Sequence, residues 1–521
     1  MRIITFLLVL TSVVSQAQLR LSAEQLDFSD VVTTSIKELS MDITNSSNSP
    51  VSIADVVVYN DAFTVDYSNA EIASGSTTKL KVIFSPTHNI IHNTEAIILV
   101  SNGSQYSVDL IGAGRYEGTY YAGTFNKSYQ ALKDELKTIL ASGYTNLGYS
   151  TARDRMYGNI DNVNGKVTCV YTGRVATFNT RSGANSSSFN CEHTWPQSLF
   201  SSREPERADI HHLFPTDVNS NSRRGSFPFG LVSSATWSEG GSKVGGGKFE
   251  PRDAQKGATA RAMIYFAIRY QDYSNFIDGQ ESILREWHKN YPPLEWDSTR
   301  NANIFTYQKN RNPFIDHPEF TERIGKIGAN DVAPEIKSAE VSVSSIDFLT
   351  VKPADQRTVY LVNSGNTDLT GIGNITTKNG DLKVIDFSSS VKVGEALALI
   401  IGFSGLTPGS YEDELQIDLN TQIGESISVP VTFNLVASNI EREVISKFFS
   451  FYNSVEKSLI LRNVPHSIEE VSIYGINGRL IELDDISSSF TDIPFRGYSS
   501  GLYFVVIKTE NKILTSRFLV D

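Results

Sequence analysis

At 521 residues the chain is too long for one core, and a prior of roughly 150 residues per domain asks for three or four folded units. Hydrophobic residues at 40%, charged at 20% and aromatic at 10% are globular proportions, which excludes disorder and collagen-like repeats. The formal charge of −12 would argue against a polyanionic partner if it were evenly spread, but residues 116–330 hold 25 Lys and Arg against 22 Asp and Glu, leaving 21 against 36 elsewhere. Screening confines surface fields to roughly 8–10 Å, so a local basic face matters more than the total. A nucleic-acid ligand therefore stays open to the middle segment.

Met1 and Arg2 precede an uncharged apolar stretch from Ile3 to Val14. It falls short of the roughly 20 residues that a spanning helix needs. It runs into Ser15-Gln16-Ala17, the pattern of a secretory signal with the mature chain starting at Gln18 and no membrane span. In an exported chain the two cysteines, Cys169 and Cys191, are expected to pair, closing a loop that would stabilise by roughly 3 kcal/mol. Two buried thiols are the alternative.

From Leu19 to about Gly114, runs rich in Val, Ile and Thr (Val51 to Val58, Lys79 to Phe84, Ala96 to Val100, Tyr106 to Ile111) alternate with Asn, Ser and Gly turns, the signature of strands. A second such stretch, Ala333 to Leu435, repeats the first. Leu26-Asp27-Phe28 followed by Asn45 to Asn48 corresponds to Ile346-Asp347-Phe348 followed by Asn363 to Asn366. Shared landmarks at similar spacing predict two copies of one β-sandwich, which resembles the immunoglobulin-like modules of secreted bacterial proteins.

Between them the periodicity turns helical. Leu132, Leu136, Ile139 and Leu140 line one face after a Ser128 cap, and Ala258 to Tyr270 reads as a core helix whose Arg261 and Arg269 reach out or pair. Polar residues concentrate in Asn190 to Ser198 (NCEHTWPQS) and Asp209 to Arg224 (DIHHLFPTDVNSNSRR). Ser188 to His193 reads as a strand ending at Pro196, Ile210 to Phe214 as a second strand, and Asp217 as the cap of a short helix carrying Asn219. Such a frame can hold a hard cation between the Glu192 carboxylate and the Asn219 amide oxygen, with water completing the octahedral shell that Mg²⁺ prefers. Asn221 replaces Asn219 if the helix register differs. His193, unmetallated and with a reference pKa of ~6.5, can take a proton from an attacking water.

These three runs together (Glu192 to Ser198, Asp209 to Asp217, Val218 to Gly225) resemble bacterial endonuclease I, a family with a ββα-metal, or His-Me finger, site. The resemblance extends from Tyr120 to Pro318, including Tyr265 to Tyr270, Glu286 to His288 and Asn310 to Pro318. It implies a secreted, sequence-nonspecific nuclease that cuts DNA, with RNA as a second substrate, and leaves 5′-phosphate and 3′-hydroxyl ends. Mg²⁺ is the implied cofactor, with Mn²⁺ or Ca²⁺ as substitutes. By position, Glu192 and Asn219 match the family's metal ligands and His193 its general base. The arginine on the scissile phosphate falls in a variable loop, where Arg203 and Arg207 are candidates. Arg223 and Arg224 are alternatives on substrate phosphate, since a guanidinium fork suits phosphate, and Asn310 to Pro318 either clamps a further phosphate through Arg311 or is a rigid Pro-containing loop. Cys191 departs from the family's usual residue before Glu-His, and paired with Cys169 it would brace the strand that presents both side chains.

Other polar residues read as structural. His211 and His212, adjacent on a strand, face opposite ways, so at least one is a core hydrogen-bonder. His288 packs at a helix end, Trp195 anchors the core, and Asp161 to Gly165 is a turn, lacking the glutamate of a calcium loop. The last strands, with Ile473 to Arg479, Ser500 to Phe504 and a hairpin turn at Asn477-Gly478, resemble the C-terminal sorting domain of the type IX secretion system, whose machinery is then a partner.

The expected organisation is a multidomain chain. A signal peptide (1–17) precedes an immunoglobulin-like β-module (18–115), a central α+β ββα-metal nuclease domain (116–330), a second immunoglobulin-like β-module (331–438) and a small C-terminal β-sandwich for sorting (446–521). The contrasting expectation is a cell-surface adhesin or polymer-binding protein, whose β-modules take a glycan or protein ligand beside a degenerate nuclease domain. An extracellular ribonuclease on the same site is the third.

Overall fold

The computed structural model describes residues 19–436, apart from 68–70, 274, 373–374, 404 and 420–425, and residues 449–520, apart from 454–456, 463–469, 476–479, 485–491, 496 and 509–512. The expected signal peptide and the Asn477-Gly478 turn lie outside the described residues.

Alternating apolar and polar side chains make the first stretch a two-layer sandwich. A four-stranded sheet built on Lys37–Asn45 and Thr77–Phe84 faces a five-stranded sheet built on Ile91–Val100 and Gln105–Arg115. Phe28, Phe63 and Phe84 pack ring against ring between them, with centroids 4.6–5.5 Å apart. The second stretch repeats this plan with two four-stranded sheets. In each, the first long strand pairs in parallel with the last, Gln25–Val32 with Gln105–Arg115 and Ile346–Val351 with Ser426–Leu435.

The repeated motif has a physical cause. Both parallel strands shift register after the motif's aspartate, and the residue two positions on takes a left-handed φ, 53° at Ser29 and 52° at Leu349. The aspartate compensates by accepting that residue's amide, Asp27 Oδ1 from Ser29 at 2.6 Å and Asp347 Oδ1 from Leu349 at 2.9 Å. The repeated asparagines are equally matched. Asn45 Nδ2 donates to the carbonyls of Ser49 and Ile72, and Asn363 Nδ2 to those of Thr367 and Val391. Each is a buried amide that ties a turn to a neighbouring segment.

Between the sandwiches lies a mixed domain. The helices Tyr129–Ala141 and Asp253–Arg269 form where apolar periodicity predicts them. The second is buried almost throughout, so its arginines pair inside: Arg261 with Asp297 at 3.1 Å and Arg269 with Asp209 at 3.4 Å. Trp195, fully buried, stacks on Phe266 at 4.7 Å as a core anchor.

The first sandwich is bonded to this domain. Asn89 Nδ2 donates to Thr124 Oγ1 at 2.9 Å, and Arg323 Nη2 donates to Asn89 Oδ1 at 2.6 Å. It also meets the second sandwich, where Gln105 Oε1 accepts from Ser342 Oγ and the Tyr360 amide, and Glu95 Oε1 accepts from the Ala396 amide at 2.6 Å. Apart from Lys352–Asp355, all three belong to one compact unit. Residues 436–521 belong to a second, in which a three-stranded and a four-stranded sheet enclose Leu459, Val471, Ile473, Phe495, Val505 and Ile507.

Candidate active site

Two antiparallel strands and a helix carry the motif. Phe189–His193 pairs with Leu213–Asp217, placing Glu192 opposite Phe214 and His193 opposite Leu213. Asp217 caps the helix Val218–Arg224, its carboxylate accepting from the Ser220 amide at 2.8 Å, and the helix stops at Gly225, where φ is +54°. The expected second strand, Ile210 to Phe214, is corrected by three residues. Asp209 accepts from the His211 amide and turns Ile210–His212 into a 3₁₀ helix, so the strand starts at Leu213. His211 and His212 are consequently both structural, each directing Nε2 at a backbone carbonyl, of Asn310 and Glu206. Burial lowers both imidazoles to about 4, so they stay neutral.

Glu192 is only 2% exposed, too buried for a carboxylate without partners. Tyr171 donates its hydroxyl to Oε1 at 2.7 Å, and Arg224 Nε lies 3.2 Å from the same oxygen, an ion-pair contact without hydrogen-bond alignment. Burial raises the carboxyl above its ordinary range, while Arg224 and Tyr171 oppose it. Oε2 accepts no hydrogen bond among the described residues.

His193 faces the other side of the strand. Its Nε2 lies 3.1 Å from the Arg207 carbonyl, which can only accept, so Nε2 bears the proton and Nδ1 keeps its lone pair. The ring packs 5.3 Å from both Tyr149 and His212. Burial holds its pKa well below the usual imidazole value.

The two helix asparagines part company. Asn219 is exposed and donates to Glu239 Oε2 at 3.3 Å, away from Glu192. Asn221 is half-buried and donates Nδ2 to the Cys191 carbonyl at 3.2 Å, which places its amide against the strand just before Glu192. Its Oδ1 accepts no hydrogen bond among the described residues.

Of the arginines, Arg207 is half-buried, donates Nε to Gln197 Oε1 at 3.0 Å and lies over Tyr149. Arg203, exposed, bonds the Tyr273 hydroxyl and the Phe200 carbonyl. Arg223 is exposed. Arg224 is 1% exposed and consumed by Glu192, the Thr194 and Gly225 carbonyls and the face of Phe229, so it orients Glu192 and has no face left for substrate. Arg311 is corrected likewise: it forms a bidentate pair with Asp316, both bonds 2.6 Å, which fills the fork a phosphate would need.

The expected disulfide is absent: both cysteines are free and buried. Cys169 Sγ donates to Asp217 Oδ2 at 3.0 Å and accepts the Asp217 amide, so it serves the helix cap. Cys191 faces Tyr149, and burial pushes its thiol up to about 12. His288, as expected, is buried near a helix end with Nε2 on the Pro318 carbonyl, and Asn162 Oδ1 closes the 161–165 turn on the Gly165 amide. Tyr171, Tyr149 and Arg153, which shape the surroundings of Glu192 and His193, carry no local signal. Tyr171 is 21 residues from the glutamate it bonds.

The profile of the endonuclease I family matches residues 128–319. An extracellular ribonuclease of Bacillus subtilis (strain 168) is 34% identical over 226 residues, spanning 40% of this chain and 78% of that protein. The chain belongs to the endonuclease I family. An extracellular ribonuclease of Bacillus amyloliquefaciens is 35% identical with the same coverage, and an extracellular deoxyribonuclease of Aeromonas hydrophila is 31% identical over 119 residues, 21% of this chain and 48% of that protein. This endonuclease I chain also matches the fourth immunoglobulin-like domain of CFAP65 over residues 25–118 and a secretion-system C-terminal sorting domain over 453–521. It is a secreted or cell-surface nuclease. No helix among the described residues is long and apolar enough to cross a membrane.

Proposed function

We propose that the chain is a sequence-nonspecific endonuclease that hydrolyses phosphodiester bonds of RNA and DNA with a divalent cation, through a ββα-metal site. The observation that carries this reading is the division of labour on one strand: Glu192 has one oxygen anchored and one free, while its neighbour His193 has its tautomer fixed by the Arg207 carbonyl. With Nε2 donating to the Arg207 carbonyl, His193 keeps the Nδ1 lone pair for a proton and so acts as a base.

Glu192 Oε2 and Asn221 Oδ1 are the oxygens that fit a hard cation, Asn219 being turned toward Glu239. No group of three His, Cys, Asp or Glu side chains is gathered for a metal among the described residues. Two oxygen ligands suit Mg²⁺, which keeps most of its water, with Mn²⁺ or Ca²⁺ as substitutes. When bound, the cation neutralises charge on the phosphate oxygens as it builds. His193 Nδ1, kept neutral by burial, takes the proton of the attacking water. Arg207, whose carbonyl orients the base, is better placed for the scissile phosphate than Arg203. Rupture of the P–O3′ bond, with the departing oxygen taking a proton from solvent water, leaves 5′-phosphate and 3′-hydroxyl ends. The 2′-hydroxyl takes no part, so RNA and DNA are both admissible, in keeping with the ribonuclease and deoxyribonuclease relatives.

The test is digestion of plasmid DNA and total RNA by the purified full chain with Mg²⁺, with EDTA and as His193→Ala. Cleavage of both polymers, lost in the two controls, is expected. Full activity of the alanine variant removes His193 from the chemistry, and binding without cleavage favours a polymer-binding role.

A further inference from the structure

Arg153, on the helix Tyr149–Arg155 outside the motif, has no carboxylate partner among the described residues, and its Nε is buried without a hydrogen bond. Nearby carboxylates are engaged elsewhere: Asp154 pairs with Arg181 at 2.7 Å, and Glu204 Oε1 accepts the Tyr149 amide at 3.1 Å. The Arg153 guanidinium lies 4.1 Å from the centre of the Tyr149 ring, and that of Arg207 lies 4.3 Å from the same centre. The two guanidinium carbons are thus no further apart than those distances laid end to end. The ring they share packs against His193.

Two cations held against one aromatic ring repel each other, and a buried guanidinium N–H without an acceptor is costly. Such an arrangement persists where an anion completes it, and a half-exposed arginine keeps its outer donors free for one. Among the described residues neither arginine has an ion-pair partner, so none of these supplies the anion.

We propose that Arg153 binds a backbone phosphate of the substrate strand adjacent to the scissile one, with Tyr149 spacing it from Arg207. This rests on the nuclease reading above and adds a second phosphate subsite to it. Arg153 binds and positions; it does not touch the reacting phosphorus. Its loss therefore weakens capture of a polymer but not hydrolysis of a substrate with a single phosphodiester.

The full-length His193→Ala chain is titrated with a fluorescent single-stranded oligodeoxynucleotide across a range of salt. One lost phosphate contact lowers the slope of log affinity against log salt by about 0.7. Arg153→Gln should show that reduction, while Arg153→Lys, which keeps the charge, should retain the parent slope. The slope does not depend on the fraction of folded protein, so partial misfolding cannot imitate the result. In the active chain, Arg153→Gln should raise KM for polynucleotide and leave bis(p-nitrophenyl) phosphate turnover unchanged. An unchanged slope in Arg153→Gln, a slope lost equally in Arg153→Lys, or equal losses on both substrates overturns the subsite. A wild-type chain that cleaves nothing, with the slope change intact, overturns the hydrolytic reading and leaves the phosphate contact standing.

Discussion

Replacing Tyr171 by phenylalanine removes one oxygen from the protein and with it the 2.7 Å hydrogen bond to Glu192 Oε1. The ring remains, packed 4.5 Å from Phe249. A hydrogen bond to a charged acceptor contributes about 1.5–3 kcal/mol. Arg224 still faces the carboxylate, so the ion is not abandoned, but Oε1 loses the aligned donor that it has among the described residues. If the whole loss falls on the orientation of Oε2 toward a cation, it corresponds to roughly a 10- to 150-fold weaker cation affinity. The assay is initial cleavage rate against Mg²⁺ concentration. Half-saturation should move up by one to two decades, with the rate at saturating Mg²⁺ falling much less. A half-saturation point that stays in place, in a variant that folds normally, would show that the hydroxyl does not position Glu192 and would refute the assignment of Oε1 as the anchored oxygen.

Asn221→Ala should shift the same Mg²⁺ titration strongly and Asn219→Ala should not, because only Asn221 faces the strand that bears Glu192; equal effects would overturn the choice between them. Alkylation after unfolding, without reductant, should label both Cys169 and Cys191 by mass spectrometry, and reductant should leave the melting curve unchanged. Burial pushes the Glu95 carboxyl at the contact between the sandwiches from 4.5 up to about 7. The folded chain therefore holds a proton that the unfolded chain has released, and the associated stability, complete below pH 4.5, is lost as pH rises through 7. Glu95→Gln should flatten this dependence and raise stability at pH 8 by up to about 3 kcal/mol, read from denaturant unfolding between pH 5 and 8; an unaltered profile would show that Glu95 is not the titrating group.

What the sequence disclosed was governed by local chemistry. Strand alternation, the Asp217 cap and the apolar face of Tyr129–Ala141 are decided within a few residues, and each appears near its expected place. The repeat was legible because Asp27 and Asn45 serve backbone needs that Asp347 and Asn363 meet again. The failures share a cause. Whether Asn219 or Asn221 faces Glu192 depends on the azimuth of a seven-residue helix, which spacing alone leaves open. Compartment alone pairs the thiols with each other, whereas Asp217 and Tyr149 claim them separately. Arg311 looked free because its partner, five residues on, is an ordinary surface type until the chain turns it inward.

The bonds from Asn89 to both Arg323 and Thr124 have a practical consequence for anyone who wishes to isolate the hydrolase. A fragment cut at residue 116 would strip Arg323 of its acceptor and Thr124 of the amide that donates to it. The amino-terminal sandwich is therefore scaffolding for the catalytic body, and a trimmed version that keeps residues 19–330 should express and survive heating where one beginning at 116 fails.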